Sequence, residues 1–223
     1  MSIAGDNSVI CCSLRDLHLD VVKNALISSR SDVVNTDFRK ILALDLDETL
    51  VLTSFEESSP YDFRVDITIG NTTYPVFVLK RPGVDEFLQE SFDLFNVYIY
   101  TSSVIEYATA IVQELIPDFP KSKILHREHC KYMNGNFIKQ LSLFGRDLSE
   151  VVTVDNNSIS FCLNPSNGII IPTWNGDEKD DKLLNVTLPL LRECYFAKDV
   201  RNPIKQFYYP KRRRVINLIP HMP

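Results

Sequence analysis

The sequence predicts an α/β fold, in which a central parallel sheet has helices on both faces and a β-hairpin inserted after its first strand. Three observations predict it. Apolar runs of strand length alternate with segments of helical spacing. The chemically suggestive residues stand at the carboxyl ends of those runs: Asp45 and Asp47, then Thr101, then Asp155 and Asn156. Ligands of open parallel sheets bind at that edge. Finally, Gly70-Asn71 lies between two stretches that alternate apolar and polar residues, a hairpin signal.

Taken in order, Leu14, Leu17, Val21, Ala25 and Leu26 follow a helical spacing. They predict one amphipathic helix in an N-terminal extension, residues 1–36, closed by the polar "SSRSDVVNTD". The main domain is expected over 37–197. "KILALDLD" reads as a buried strand and "DFRVDITIGNTTYPVFVLKRP" as the hairpin. "PGVDEFLQESF" places Pro82 near a first helical turn. "FNVYIYTSS" is a strand ending in hydroxyls. "SVIEYATAIVQEL" puts Val104, Tyr107, Ala108, Ile111, Val112 and Leu115 on one helical face. "VVTVDNN" and "GIIIP" are further strands. "DKLLNVTLPLLREC" is helical, with Pro189 expected to kink or break it. Residues 198–223 form a basic tail with Lys211 to Arg214 consecutive, read as a solvated tail or, second, as a nuclear-import signal.

With 44% hydrophobic and 24% charged residues, the chain can build a core. A net charge of −5 argues against a nucleic-acid-binding surface. The five cysteines (11, 12, 130, 162, 194) lack metal-ligand spacing, which predicts reduced thiols in an intracellular compartment, and a nuclear and/or cytoplasmic location is expected. No apolar run has the length of a membrane span. A monomer is expected.

The aspartate pair carries the chemistry. Two carboxylates on alternate positions of an extended chain point the same way. A calcium loop beginning at Asp45 is rejected, because Leu50 stands where the turn needs glycine. Phosphoryl transfer suits the set better. It needs a nucleophile, a proton donor and positive charge on the phosphoryl oxygens. Asp45 and Asp47 offer the first two, Thr101 a hydroxyl, Lys139 a cation, and Asp155 with Asn156 oxygen ligands for Mg²⁺.

The ordered motifs "DLDETL", "YIYTSS", a downstream lysine and "VDNN" resemble those of the haloacid dehalogenase superfamily. Within it, "VLKRPGVDEFL", "LHRE", "FIKQLSLFGRDL" and "VDNNSISF" resemble the small phosphatases of the RNA polymerase II C-terminal domain. The resemblance implies a Rossmann-like haloacid-dehalogenase fold and a Mg²⁺-dependent phosphoserine/phosphothreonine phosphatase acting through an aspartyl phosphate. It implies Asp45 as nucleophile, Asp47 as acid and base, Thr49 as support of their loop, and Lys139 as the charge neutraliser. Thr101 and Arg127 would meet the substrate phosphate. The metal set would be Asp45, the Asp47 carbonyl and Asn156, with Asp155 supporting. Phe55, Ile67, Ile69, Val76, Val104 and Tyr107 would form a pocket for a proline beside the phosphoserine. The implied partner is a phosphoserine protein such as the RNA polymerase II C-terminal domain, with no direct nucleic acid contact. Ser102 and Asn157 depart from the usual alanine and serine. A phosphatase of the Dullard kind and a non-catalytic binding protein on the same fold are the competing readings.

Overall fold

The computed structural model describes residues 37–57 and 60–210. The helix expected over 14–27 and the basic run Lys211 to Arg214 lie outside the described residues.

Strand β1 (Ile41–Leu44) is the middle of a five-stranded parallel sheet, and its four residues are completely buried. A run of Ile, Leu, Ala and Leu with no polar alternation suits a strand covered on both faces. It pairs with β5 (Asn96–Tyr100) on one side and β9 (Val151–Asp155) on the other. Beyond them lie β6 (Ile124–Leu125) and β10 (Gly168–Ile170). In this order the carboxyl ends of β1, β5 and β9 are adjacent, which brings Asp45, Thr101 and Asp155 to one edge.

The predicted hairpin is β3 (Phe63–Ile69) and β4 (Thr72–Lys80), turning at Gly70 with φ 62°. A third strand, β2 (Val51–Ser54), pairs with β4 and follows the aspartate loop directly. Thr53, Val78 and Phe63 stand opposite one another, so residues 51 and 53, 76 and 78, and 63 to 69 in alternation share a face. That face packs on helix α2 (Ile105–Leu115), whose Ala108, Ile111, Val112 and Leu115 join Ile67, Val76 and Val78 in the main core. Val104 is the residue before this helix rather than part of it.

Helix α1 (Val84–Leu94) buries Val84, Phe87, Leu88 and Ser91, a spacing of three, four and seven. Asp85 and Glu86 in its first turn complement the helix dipole. It packs on β5 and against α3 (Leu188–Phe196). Residues Leu183–Thr187 ahead of α3 are π-helical. Pro189 has no N–H to offer the Asn185 carbonyl, so the wider turn and the proline fall together.

Two findings revise expectations. A second hairpin, β7 (Cys130–Met133) and β8 (Asn136–Lys139), turns at Asn134 and Gly135, both with positive φ. Residues past 197 do not begin a tail. Helix α4 (Arg201–Tyr208) buries Pro203 and Ile204 and packs on α3. The Val200 N–H donates to the Ser149 carbonyl, and the Ile170 N–H to the Tyr208 hydroxyl. The basic composition of this segment masks a short apolar face that continues the folded unit to Tyr208.

Candidate active site

The loop between β1 and β2 is gripped from several sides. The Asp45 N–H donates to the Val154 carbonyl, continuing the β1–β9 ladder by one residue. Glu48 has φ 60°, a left-handed conformation rare outside glycine. Its N–H donates to the Val51 carbonyl and its carbonyl accepts from Trp174 N–H. Arg81 is fully buried and donates to the Thr49 carbonyl at 3.1 Å, to the Pro172 carbonyl at 3.1 Å and to Asp180 at 2.8 and 3.0 Å. A strained loop held this firmly by its surroundings is characteristic of a functional site.

Lys139 ends β8 with 1% exposure. Its Nζ donates to Asp45 Oδ1 at 2.6 Å and to Asp155 Oδ2 at 2.5 Å. Tyr100, at the end of β5, donates to the His129 carbonyl and accepts from Gln140 N–H, which fixes the second hairpin over the sheet edge. Thr49 Oγ1 donates to the other Asp45 oxygen at 2.9 Å. Burial and the neighbouring Asp155 push the Asp45 carboxyl up to about 7 against the pull of Lys139. Burial disfavours the Lys139 ammonium, but Asp155 and Asp45 outweigh it and hold it above the ordinary lysine range.

Asp155 is saturated by donors. Asn157 N–H meets Oδ1 at 2.8 Å, and Ser160 and Lys139 both meet Oδ2. The departure Asn157 caps the turn that delivers Ser160, accepting from Ile159 N–H at 3.0 Å.

Asp47 sits among hydroxyls. Tyr107 donates to Oδ1 in a short hydrogen bond. Ser103 donates to Oδ2 at 2.8 Å and Thr101 reaches the same oxygen at 3.4 Å. Burial raises the Asp47 carboxyl above the usual range, and these three donors oppose the rise. Tyr107 also bonds Thr53 Oγ1 at 2.8 Å. Sequence reasoning missed Ser103, Thr53, Ser160 and Arg81 as partners. It placed Tyr107 by its ring alone. The hydroxyl-rich "TSS" was the available signal for Ser103.

Among the described residues, no three His, Cys, Asp or Glu side chains are grouped to hold a metal ion. A metal here must use oxygens of other kinds. Asn156 provides one: Glu48 and Thr173 hold its amide nitrogen at 3.1 and 3.2 Å, which leaves Oδ1 facing Thr49 and Asp45. Asp45 and Asp155 are two carboxylates on the one ammonium of Lys139. An all-oxygen donor set with surplus negative charge fits Mg²⁺.

The remaining expected residues are placed as follows. Phe55, Ile69, Val104 and Tyr107 are half-buried, while Ile67 and Val76 are core residues beneath them. Arg127 Nε donates to the Ser102 carbonyl at 2.8 Å and its guanidinium stacks 4.9 Å over Phe137. That sets it beside Thr101.

An aspartate pair after the first parallel strand, an antiparallel insert next in the chain, and a lysine and an aspartate on later strands follow the layout of the haloacid-dehalogenase-type α/β fold. The structure of fission yeast RNA polymerase II CTD phosphatase Fcp1 shares this fold, with a TM-score of 0.54 at 21% identity over 75% of this chain and 54% of that one. The chain belongs to the NLI interacting factor-like phosphatase family, whose model matches residues 40–201. It is 38% identical over 172 residues to human carboxy-terminal domain RNA polymerase II polypeptide A small phosphatase 2, covering 77% of this chain and 63% of that protein. It is 40% identical over 148 residues to the human CTD small phosphatase-like protein, covering 66% and 54%. The chain spans about half the length of most curated relatives it matches. Among the described residues no helix is long and apolar enough to cross a membrane.

Proposed function

We propose that this chain is a Mg²⁺-dependent phosphoprotein phosphatase that acts through an aspartyl phosphate on Asp45, at phosphoserine sites beside proline. One observation carries the reading. At the end of β1, Asp45 is held by Lys139 and Thr49, and the next carboxyl, Asp47, is held by hydroxyls among the described residues. The two carboxyls therefore have different environments and suit different tasks.

Asp45 attacks phosphorus in line, and the bond from phosphorus to the serine oxygen breaks. Asp47 gives that oxygen its proton. Lys139 and the Thr101 hydroxyl hold the phosphoryl oxygens, with Arg127 at the rim beside Thr101. Asp47 then takes a proton from the water that attacks phosphorus, and the bond to Asp45 breaks. The metal would be held by Asp45, the Asp47 carbonyl and Asn156, with Asp155 behind them, and would supply positive charge for the phosphoryl oxygens. Phe55, Ile69, Val104 and Tyr107 offer the surface for the proline, backed by Ile67 and Val76. The names of the relatives support a substrate like the RNA polymerase II C-terminal domain.

The test is a phosphoserine-proline peptide with Mg²⁺ or with chelator, on wild type, Asp45→Asn and Asp47→Asn. All three losses are expected, and full activity in Asp45→Asn contradicts the mechanism. For the pocket, Phe55→Ala should lower the ratio of peptide to aryl phosphate turnover about tenfold. An unchanged ratio removes the pocket from the account.

A further inference from the structure

The contact between Tyr107 and Asp47 links two parts that the proposed mechanism keeps separate. The Tyr107 ring belongs to the face between α2 and the three-stranded sheet. Its hydroxyl belongs to the acid. We propose that the Tyr107 hydroxyl is a positioning group, which aims the Asp47 carboxyl at the departing oxygen while its ring lines the substrate pocket. This rests on the reading of Asp47 as the proton donor.

The geometry carries it. A carboxyl group turns easily about its last torsion, which has broad, shallow wells. Here one oxygen is pinned by Tyr107 and the other by Ser103 and Thr101, so that torsion is fixed from two sides. Tyr107 is itself anchored by Thr53, a residue of β2 whose backbone is set by its pairing with β4. Hydroxyls both donate and accept. With Thr53 donating to it, Tyr107 donates to the carboxylate. With the carboxyl protonated on Oδ2 toward the departing oxygen, Oδ1 is the carbonyl oxygen and Tyr107 still donates to it. The clamp therefore survives both halves of the reaction. A substrate residue pressed against the Tyr107 ring bears on the same side chain that steadies the acid.

The experiment uses aryl phosphates of graded leaving-group acidity with Mg²⁺, which have no proline to fill the pocket. Tyr107→Phe keeps the ring and removes the hydroxyl. The ratio of p-nitrophenyl to phenyl phosphate turnover should rise about tenfold, because only the poorer leaving group needs a well-aimed proton. Ser103→Ala and Thr53→Val should move the ratio the same way, which covers the case of a Tyr107 variant that fails to fold. A uniform loss across the series, or an unchanged ratio, overturns the proposal. Asp47→Asn in the same series separates the two claims. It should raise the ratio further than any of the three. If it leaves the ratio at the wild-type value, the assignment of Asp47 as acid is wrong and the Tyr107 role falls with it.

Discussion

Arg81 and Lys139 are both buried to 1% exposure, and they are held in opposite ways. Arg81 faces one carboxylate, Asp180, and gives two further donors to the Thr49 and Pro172 carbonyls. Burial pushes the Asp180 carboxyl up, but Arg81 and the Lys182 N–H outweigh it and hold it below the usual range. Lys139 faces two carboxylates, and one of them, Asp45, is pushed up to about 7 by burial and by Asp155. The first arrangement is balanced and acts as a strut between the aspartate loop and the segment after β10. The second carries more negative charge than its one cation can settle. Counting charges separates scaffold from chemistry here, where burial and distance look alike.

The strongest way to break this contrast is Asp45→Asn, which should reduce turnover by at least about 10³-fold. Stability should move the other way. The folded carboxyl binds its proton up to about 7, against 3.8 for the ordinary group. Its ionisation therefore costs the folded state stability as pH rises from about 4 to about 7. In chelated buffer the Asp45→Asn protein should melt above wild type, with the gap opening over that interval. Adding Mg²⁺ should narrow the gap. Thermal melts across pH, with and without metal, check both signs.

Lys139→Met comes next. It leaves Asp45 and Asp155 buried without their cation, at a cost of about 3 kcal/mol in urea unfolding. Turnover should fall by about 10²-fold through loss of charge on the phosphoryl oxygens. Arg81→Met should cost a similar amount of stability, roughly 3 kcal/mol, with a smaller loss of turnover per folded molecule. The double variant Arg81→Met with Asp180→Leu should recover part of that stability, because the ion pair can be replaced by apolar groups while the Thr49 and Pro172 carbonyls lose their donor. No apolar replacement at Lys139 should recover turnover.

The smallest effect belongs to Asp180→Asn in acid. A depressed carboxyl stabilises the fold above its unfolded value, and that stability is lost as pH falls through the folded one. The difference between wild type and Asp180→Asn should therefore shrink below pH of about 4.

Strands β1, β5, β9 and β10 were legible as apolar runs, three of which end at Asp45, Thr101 and Asp155, whereas the two-residue β6 was not expected. The same signal located Asp45, Asp47, Thr101, Asp155 and Asn156. The β7–β8 hairpin was harder. Its strands show no clean alternation of buried and exposed residues, although Asn134-Gly135 was a hairpin signal in plain view. Lys139 was found by its motif, while the hairpin that carries it was not. Arg81 was quoted within a motif, but its partner Asp180 lies 99 residues away, and no local pattern joins them. The Tyr107 hydroxyl was hidden for a different reason. An aromatic on an apolar helical face reads as packing, and its polar tip has meaning only once the Asp47 loop is folded beside it.

The central claim is that Asp45 becomes phosphorylated during turnover. The direct measurement is to quench the protein during steady turnover of an aryl phosphate with Mg²⁺, reduce it with borohydride, and map the product by peptide mass spectrometry. An acyl phosphate is reduced to an alcohol, so the account predicts homoserine at position 45 and none at Asp47 or Asp155. Turnover with unmodified Asp45 throughout, or homoserine at another of the three positions, would contradict it.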